Sequence, residues 1–335
     1  MDNVETAAPP ARTYSRLGKS LIGVGISAAF IWFVLRGVNL DEVRARFVDI
    51  NLAAVPAVLL LLVGVFLLKA LRWKCLIAPL RRVSLMRCFK VIVIAFMVNN
   101  TVPLRGGDLL RAHLLGRYEK ISRAMILTTV ALDRIFDLLA LLSVSGLALL
   151  LIPLPGWMFK AMMVLGCVLI IAIAGVLIFK NSMHRVEAWI LRWGARLPEK
   201  LRGLLMGILE QLHAGLGSAT GKTRMAMIYG IAIVEAGVWV VLTGMTLSMI
   251  GIKVPVGALL STIVATDLGV MIPAAPANVG VFEFAVMTTL EFFQIAKSVA
   301  LSGAMLLHAV HVIPIALLGL VFLLQYWLQP REAKR

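Results

Sequence analysis

Residues 91–111 read VIVIAFMVNNTVPLRGGDLLR, and this stretch decides the fold. Its apolar run ends at Asn99 and Asn100, and Pro103 and a pair of glycines follow. An unbroken transmembrane helix needs about 20 apolar residues to cross a ~30 Å hydrocarbon core. Polar and helix-breaking residues at membrane depth are tolerated where the backbone lines a wet cavity. The stretch therefore predicts a broken membrane segment beside a polar cavity.

The composition indicates an integral membrane protein. Of the 335 residues, 61% are hydrophobic and 15% are charged, whereas soluble domains run at about half apolar and about a quarter charged. The three cysteines, Cys75, Cys88 and Cys167, are far apart, so neither a disulfide framework nor a zinc site is indicated. The net charge of +16 is explained by basic loops and lipid contact, and nucleic acid is not needed as a partner.

Long apolar runs predict six full-length helices and a second broken segment. The predicted spans are residues 21–35, 52–71, 124–152, 161–179, 225–250 and 299–326. The second broken segment covers residues 256–293 and is interrupted by PAAPANVG at residues 273–280. The predicted fold class is therefore an all-α polytopic membrane protein with two re-entrant hairpins. The alternative is eight crossing helices, two of them kinked.

Basic residues predict which face each loop occupies, because Lys and Arg in short loops are held on the cytoplasmic side. With the basic N-terminal tail inside, the second predicted span returns the chain to the cytoplasm, where Arg72 begins a second basic group. A third basic group at residues 105–123 also favours the inside, so the first broken segment must enter from the cytoplasm and return to it. The same reasoning makes the second segment enter from the opposite face. Two such hairpins are typical of an inverted repeat.

One integral domain, residues 21–326, is expected between a cytoplasmic tail at residues 1–20 and a basic cytoplasmic tail at residues 327–335. The first apolar run favours a retained helix over the alternative of a signal peptide. Residues 181–224 carry apolar and basic residues at helical spacing. They predict either an amphipathic helix on the cytoplasmic membrane surface or a cytoplasmic helical hairpin packed on the bundle.

Ionisable side chains at membrane depth cost about 2.5–3.5 kcal/mol each on insertion scales, so they tend to be paired and functional. Asp133 and Asp137 are four residues apart on one helical face, and Arg134 can bridge to Asp137. This cluster is either a structural ion pair between helices or part of a site for a lipid headgroup.

The first broken segment offers a candidate site for an anion. It carries Asn99, Asn100, Arg105, Asp108 and Arg111 around the paired glycines. A helix that restarts there presents free N–H groups to a lipid phosphate. The two guanidinium groups can add bidentate contacts to the same phosphate.

The second half supplies acids and an amide around its own break: Glu235, Asp267, Asn278 and Glu283. Glu283 follows the break closely, which favours a site for a coupling ion or a proton. The alternative is a carboxylate that interacts with the dipole at a helix start.

Other motifs exclude several functions. His308 and His311 share a helical face, but no nearby carboxylate or cysteine in the sequence completes a metal set, so no metal is expected. Residues 217–223 resemble a nucleotide-binding loop, but the required first glycine is missing and no strand precedes it. No nucleophile or metalloprotease motif is present either, so we expect neither an enzyme nor a cofactor.

Three motifs resemble those of the lysylphosphatidylglycerol synthase transmembrane (flippase-like) family. They are NNTVPLRGGDLLR at residues 99–111, DRIFD at residues 133–137, and residues 273–283. The likeness runs from about residue 15 to residue 326. Ala277 and Asn278 stand where the family commonly has flexible glycines.

The resemblance implies flipping or lipid-linked transport of a phospholipid, a polyprenyl lipid or a hopanoid-type lipid. It also implies a stand-alone bacterial member in the cytoplasmic (inner) membrane, with both termini cytoplasmic by the charge argument. The chain ends at Arg335 without the synthase's aminoacyl-transferase domain, so no lysyl transfer is expected.

The resulting hypothesis is a lipid facilitator with a cavity lined by both hairpins. Arg105 and Arg111 would hold the phosphate, while the 133–137 cluster and Glu283 would shape or gate the cavity. The alternative is a lipid-biosynthesis accessory or a membrane-embedded lipid-modifying enzyme. Membrane lipids are the expected partners, with a lipid synthase or glycosyltransferase as a further candidate, and the oligomeric state is left open.

Overall fold

The computed structural model describes residues 25–101, 106–152, 155–182, 221–272 and 275–328, together with a few residues between 192 and 213. The described residues are helices, short 3-10 turns and connecting loops. This confirms the predicted all-α fold class. Most of the predicted amphipathic segment, residues 181–224, the predicted N-terminal tail and all but the first two residues of the predicted C-terminal tail lie outside the described residues, so those predictions remain untested.

Besides a few helical residues between 192 and 213, the described chain contains eleven continuous helices of 9 to 32 residues. They are α1 Gly25–Leu35, α2 Leu40–Val48, α3 Val55–Ile77, α4 Leu85–Thr101, α5 Gly107–Glu119, α6 Arg123–Leu151, α7 Gly156–Asn181, α8 Lys222–Ser248, α9 Val256–Val270, α10 Val281–Phe292 and α11 Lys297–Leu328. Five of these regions, which contain α3, α6, α7, α8 and α11, are long and apolar enough to cross a membrane. They correspond to five of the six predicted spans. The remaining predicted span, residues 21–35, is described only from residue 25 onward, where α1 is a short apolar helix.

The helices form two repeats of the same order: long, short, short, long. The first repeat is α3–α6 and the second is α8–α11, with α7 between them. The packing also follows this relation. The last helix of each repeat packs on the first short helix of the other, so that α11 contacts α4 and α6 contacts α9, while α3 and α8 pack on each other.

The first pair of short helices is a hairpin that enters and leaves at one end of the bundle. Glu119, at the end of α5, forms ion pairs with Arg87, at the start of α4, and with Arg81, in the loop before α4. The same end holds the last turns of α11, because Tyr118 packs on Tyr326 with ring centroids 5.2 Å apart. We call this the Tyr326 end.

The second pair, α9 and α10, is a hairpin that opens at the other end of the bundle. A Cβ built on Gly303, near the start of α11, would lie 2.8 Å from Leu247, 3.0 Å from Ile252 and 3.4 Å from Leu290. These neighbours lie at the end of α8, just before α9 and near the end of α10. From this Gly303 end to the Tyr326 end, α11 rises roughly 35 Å at 1.5 Å per residue, which is enough to cross a bilayer core. The hairpins therefore enter from opposite ends, and their assignment to the cytoplasmic and outer faces stays a prediction.

The structure corrects the predicted positions of two basic residues. Hydropathy ended the second span at residue 71 and placed Arg72 in a cytoplasmic loop, but α3 continues to Ile77 and Arg72 is 1% exposed. Arg111 was also placed in a cytoplasmic loop, yet it lies in α5 and is 2% exposed. Both guanidinium groups are held inside the bundle by carboxylates, an interaction that a count of charges along the sequence does not detect.

Candidate functional site

The tip of the first hairpin depends on a close approach between α4 and α5. Asn99 accepts a hydrogen bond of 2.8 Å from the backbone N–H of Gly107. A Cβ on Gly107 would lie 2.1 Å from the carbonyl oxygen of Ala95, so no other residue fits without moving the backbone. Arg105, a predicted phosphate ligand, belongs to residues 102–105 at this tip and lies outside the described residues.

The tip of the second hairpin uses left-handed backbone. Ala277, Asn278 and Gly280 have φ angles of 59°, 58° and 86°. The first two stand where the resemblance expects glycines, and they nevertheless adopt a conformation that glycine favours and that costs other residues roughly 1–2 kcal/mol. Glu283 accepts a 2.7 Å hydrogen bond from the N–H of Gly280, which caps the start of α10.

Five charged side chains from three helices form the centre of an ion-pair network. Arg72 of α3 donates to Asp133 of α6 over 2.8 Å, bonds to Asp137, and lies 3.3 Å from Glu235 of α8. Lys69, one turn earlier in α3, lies 2.6 Å from Glu235 and 3.7 Å from Asp137. The network therefore ties the first repeat to the second through charge.

Arg134 extends this network to the first hairpin. Its guanidinium lies 2.8 Å from Asp108, at the start of α5, and 3.1 Å from Asp137 on its own helix. The contact to Asp137 is the one that the sequence spacing predicted. The Arg134 side chain is 41% exposed, so it can bind a further group while its ion pairs stay in place.

Arg111 is enclosed by other side chains of the bundle. It donates to Asp133 over 2.9 Å and its guanidinium lies 4.1 Å from the centre of the Trp73 ring. The indole N–H of Trp73 in turn donates to Thr129 over 3.1 Å. Cation–π stacking and the ion pair together hold Arg111 behind the cavity wall. It does not line the cavity where it was expected to hold a phosphate.

A cavity of about 550 Å³ lies between the tips of the two hairpins. Its charged and amide lining comes from both repeats: Lys69, Arg72, Asn99, Asn100, Asp108, Arg134, Asp137, Glu235, Asp267 and Asn278. Apolar residues of α6 and α7, such as Val144, Leu165 and Val168, line another side. The cavity thus joins a charged region to an apolar one.

Asp267 differs from the other acids of the cavity. It is exposed to the cavity and makes no ion pair with a described residue. In contrast, the acids Asp108, Asp133, Asp137 and Glu235 each contact a basic group. The part of the site that the structure describes therefore has one carboxylate left to interact with whatever enters.

The structure brings together eight of the twelve predicted site residues on the cavity wall: Asn99, Asn100, Asp108, Arg134, Asp137, Glu235, Asp267 and Asn278. Arg111 and Asp133 are buried behind it, and Glu283 lies beside it and bonds to His308. That bond places a carboxylate from 25 residues away beside one of the two histidines, a contact that the sequence did not indicate. Among the described residues, however, no three side chains cluster as metal ligands.

Sequence reasoning missed Lys69 and Arg72 as site residues. Arg72 was assigned to the cytoplasmic side because it follows the apolar run of residues 52–71, and Lys69 lies at the end of that run. One signal could have found them: the apolar Trp73, Leu76 and Ile77 continue the helical pattern beyond the charges. A helix that continues past its charged residues places them at membrane depth.

The family described as "Lysylphosphatidylglycerol synthase TM region" matches residues 20–319. The chain belongs to this family. That match confirms the resemblance, and it covers both hairpins and the ion-pair network.

Relatives of this lysylphosphatidylglycerol synthase TM region protein occur among archaeal membrane proteins. A UPF0104 membrane protein of Methanothermobacter thermautotrophicus is 23% identical over 301 residues, which are 84% of this chain and 86% of that protein. A UPF0104 membrane protein of Methanocaldococcus jannaschii is 22% identical over 167 residues, covering 49% of this chain and 50% of the relative.

A third relative, the glycosyltransferase AglD of Haloferax volcanii, is 22% identical over 247 residues. The aligned region is 63% of this chain but only 39% of the relative. No solved structure gives a significant match. The comparisons and the five apolar helices together establish a multi-pass membrane protein.

Proposed function

We propose that this protein moves a lipid between the leaflets of its membrane through the cavity between the hairpin tips. The observation that carries the proposal is the position of this cavity: hairpins that enter from opposite ends meet at one charged chamber inside the bundle. A polar chamber at membrane depth is costly to maintain and tends to serve a pathway.

The lining of the cavity suits the two parts of a lipid. Arg134 and Asp267 offer an accessible guanidinium and an unpaired carboxylate to a polar headgroup. Val168 of α7, 48% exposed, belongs to the apolar side, where an acyl or polyprenyl chain can lie. A phospholipid, a polyprenyl lipid and a hopanoid-type lipid all share this division between headgroup and chain.

We further propose that the protein does not alter its lipid chemically. In the described part of the site, the lysine and arginine side chains of the cavity wall are held in ion pairs. A lipid-modifying or accessory role is the rival proposal, and the AglD relative, named a glycosyltransferase, gives it some support.

Reconstitution in liposomes tests the proposal. The full chain is incorporated into vesicles with headgroup-labelled lipids, and the fraction of label that becomes accessible from outside is followed over time. We expect faster scrambling than in empty vesicles, with the labelled lipid recovered unchanged. Rates equal to those of empty vesicles across phospholipids, polyprenyl phosphates and hopanoid lipids would refute transport, and a modified lipid would favour the rival.

A matched pair of variants connects transport to the cavity. Asp267→Asn removes the unpaired carboxylate from the chamber, and we expect slower scrambling because a headgroup loses a charged contact. Asp49→Asn makes the same chemical change at an exposed position after α2 and should leave the rate unchanged. Equal rates for both variants would show that the lipid does not contact this carboxylate.

A further inference from the structure

His308 of α11 is placed between two hydrogen-bond acceptors. Its Nδ1 contacts a carboxylate oxygen of Glu283, and its Nε2 lies 2.9 Å from the carbonyl oxygen of Ala277. A neutral imidazole carries one N–H, and an ionised carboxylate can only accept. Both contacts are hydrogen bonds only if a second proton is present, either on the ring or on Glu283. The geometry therefore requires one proton more than a neutral histidine beside an ionised glutamate would hold.

The first repeat contains a counterpart of this pair. Asp108, at the start of α5, bonds over 2.8 Å to Arg134 of the following long helix. Glu283, at the start of α10, bonds in the same way to His308 of the helix that follows it. In each repeat the partners are about 25 residues apart and join the second limb of a hairpin to the next long helix. One latch uses a permanent cation and the other uses a titratable one.

Several charged groups share the cavity with His308, but they lie on other helices and do not contact its ring. On α11 itself, His311 stacks on Trp239 and its Nδ1 contacts the carbonyl oxygen of Leu307. The charged groups that share the cavity with His308 come from α3, α5, α6, α8 and α9: Lys69, Arg72, Asp108, Arg134, Asp137, Glu235 and Asp267. From α4 the cavity receives the neutral amides Asn99 and Asn100. Glu283 is therefore the carboxylate in direct contact with the His308 ring among the described residues.

We propose that Glu283 and His308 form a proton-binding site that latches the tip of the second hairpin onto α11. When the proton leaves for water in the cavity, the neutral ring keeps one N–H and can donate either to the ionised Glu283 or to the carbonyl of Ala277, but not to both. The latch then loses one of its two hydrogen bonds and holds the tip less tightly. Its role in lipid movement rests on the proposed function, in which this tip would control access to the cavity from the Gly303 end.

The latch helps to hold the left-handed backbone at the tip of the second hairpin. His308 bonds to the carbonyl of Ala277, which holds a φ angle of 59° that an alanine rarely adopts. Such a conformation persists when surrounding contacts enforce it. Loss of the His308 contact removes one of those contacts, whereas the cap from Glu283 to Gly280 does not depend on the proton.

Hydrogen exchange of the full chain in lipid nanodiscs, at about pH 5.5 and about pH 8.5, measures this latch directly. Rates are corrected for chemical exchange, and amides of residues 279–284 are compared with those of residues 107–112 behind the permanent latch. We expect protection of the second tip to fall several-fold at the higher pH while the first tip stays constant. In His308→Arg, whose charge is permanent, the second tip should stay protected at both pH values. A wild-type ratio that does not change with pH would overturn the proposal.

Nitrogen NMR of histidine-labelled protein gives a second measurement that does not depend on the folding of a variant with a larger side chain. The His308 signal is assigned by its loss in His308→Gln. We expect a state with the shared proton at low pH and a ring with one bare nitrogen at high pH. A bare Nδ1 at both pH values would refute the site.

Neither measurement requires transport. A latch that titrates in a protein that does not scramble lipid would refute the proposed function and leave the proton site standing. Scrambling by a protein whose latch shows no titration would refute the proton site and leave the proposed function standing.

Discussion

Replacement of Arg72 by methionine tests the central claim about the core of this protein. Hydropathy alone places Arg72 at the membrane surface, where a substitution changes the free energy of unfolding by about 0.5 kcal/mol or less. The structure instead buries its guanidinium against Asp133, Asp137 and Glu235. The two descriptions of Arg72 therefore predict clearly different costs.

The magnitude follows from the charge balance of the ion-pair network. The network contains the bases Lys69, Arg72, Arg111 and Arg134 and the acids Asp108, Asp133, Asp137 and Glu235. Removal of Arg72 leaves four acids to share three bases, and one uncompensated buried negative charge costs about 3–5 kcal/mol. That is a large part of a typical total stability of roughly 5–15 kcal/mol. The melting temperature should fall by something on the order of 10 °C.

Thermal unfolding in nanodiscs, followed by tryptophan fluorescence, measures this loss. Arg117→Met is the matched control, because Arg117 is exposed on α5 and the chemical change is identical. Adding Glu235→Gln to the Arg72→Met protein removes the excess negative charge, so it should recover about 0.5–3 kcal/mol. A cost for Arg72→Met no larger than that of the control would refute the buried network.

The remaining predictions concern the first hairpin. Gly107→Ala should destabilise the protein by about 1–3 kcal/mol because its Cβ meets the α4 backbone, whereas Gly106→Ala next to it has open space and should be nearly neutral. Equal melting temperatures for the two variants would contradict the close approach. In a cysteine-free background, cysteines at Arg87 and Glu119 should be joined by a short bis-maleimide, because the two side chains form an ion pair at the Tyr326 end. Cysteines at Arg87 and Thr101, at opposite ends of α4, should not be joined. Absence of the first cross-link would favour eight full crossings.

The two repeats fasten their hairpins by corresponding contacts. The ion-pair network joins α3, α5, α6 and α8, while the His308 latch joins α10 and α11. Both lie at the cavity, so the opposed hairpins are each fastened by a carboxylate at the start of their second helix. The difference between an arginine and a histidine then makes one fastening permanent and the other dependent on pH.

Much of the architecture was readable from the chain itself. Apolar length predicted the long helices, because a bilayer core requires about 20 residues of apolar helix. The asparagine and proline breaks predicted both hairpins, and the positive-inside count predicted that they enter from opposite faces. Polar residues at membrane depth also pointed to most of the charged and amide side chains of the cavity wall, since such groups are expensive unless they are paired or wet.

The partners of those residues were decided by tertiary structure alone. Nothing along the sequence connects Arg72 to Asp133, 61 positions away, or Glu283 to His308, 25 positions away. Local patterns specify which segments are helical and which faces are apolar, but ion pairs form between helices whose register is set by packing. Sequence therefore determined a membrane bundle with two opposed breaks. Only the folded chain decided that Arg72 is buried, that Arg111 lies behind the cavity, and that a histidine holds the second hairpin.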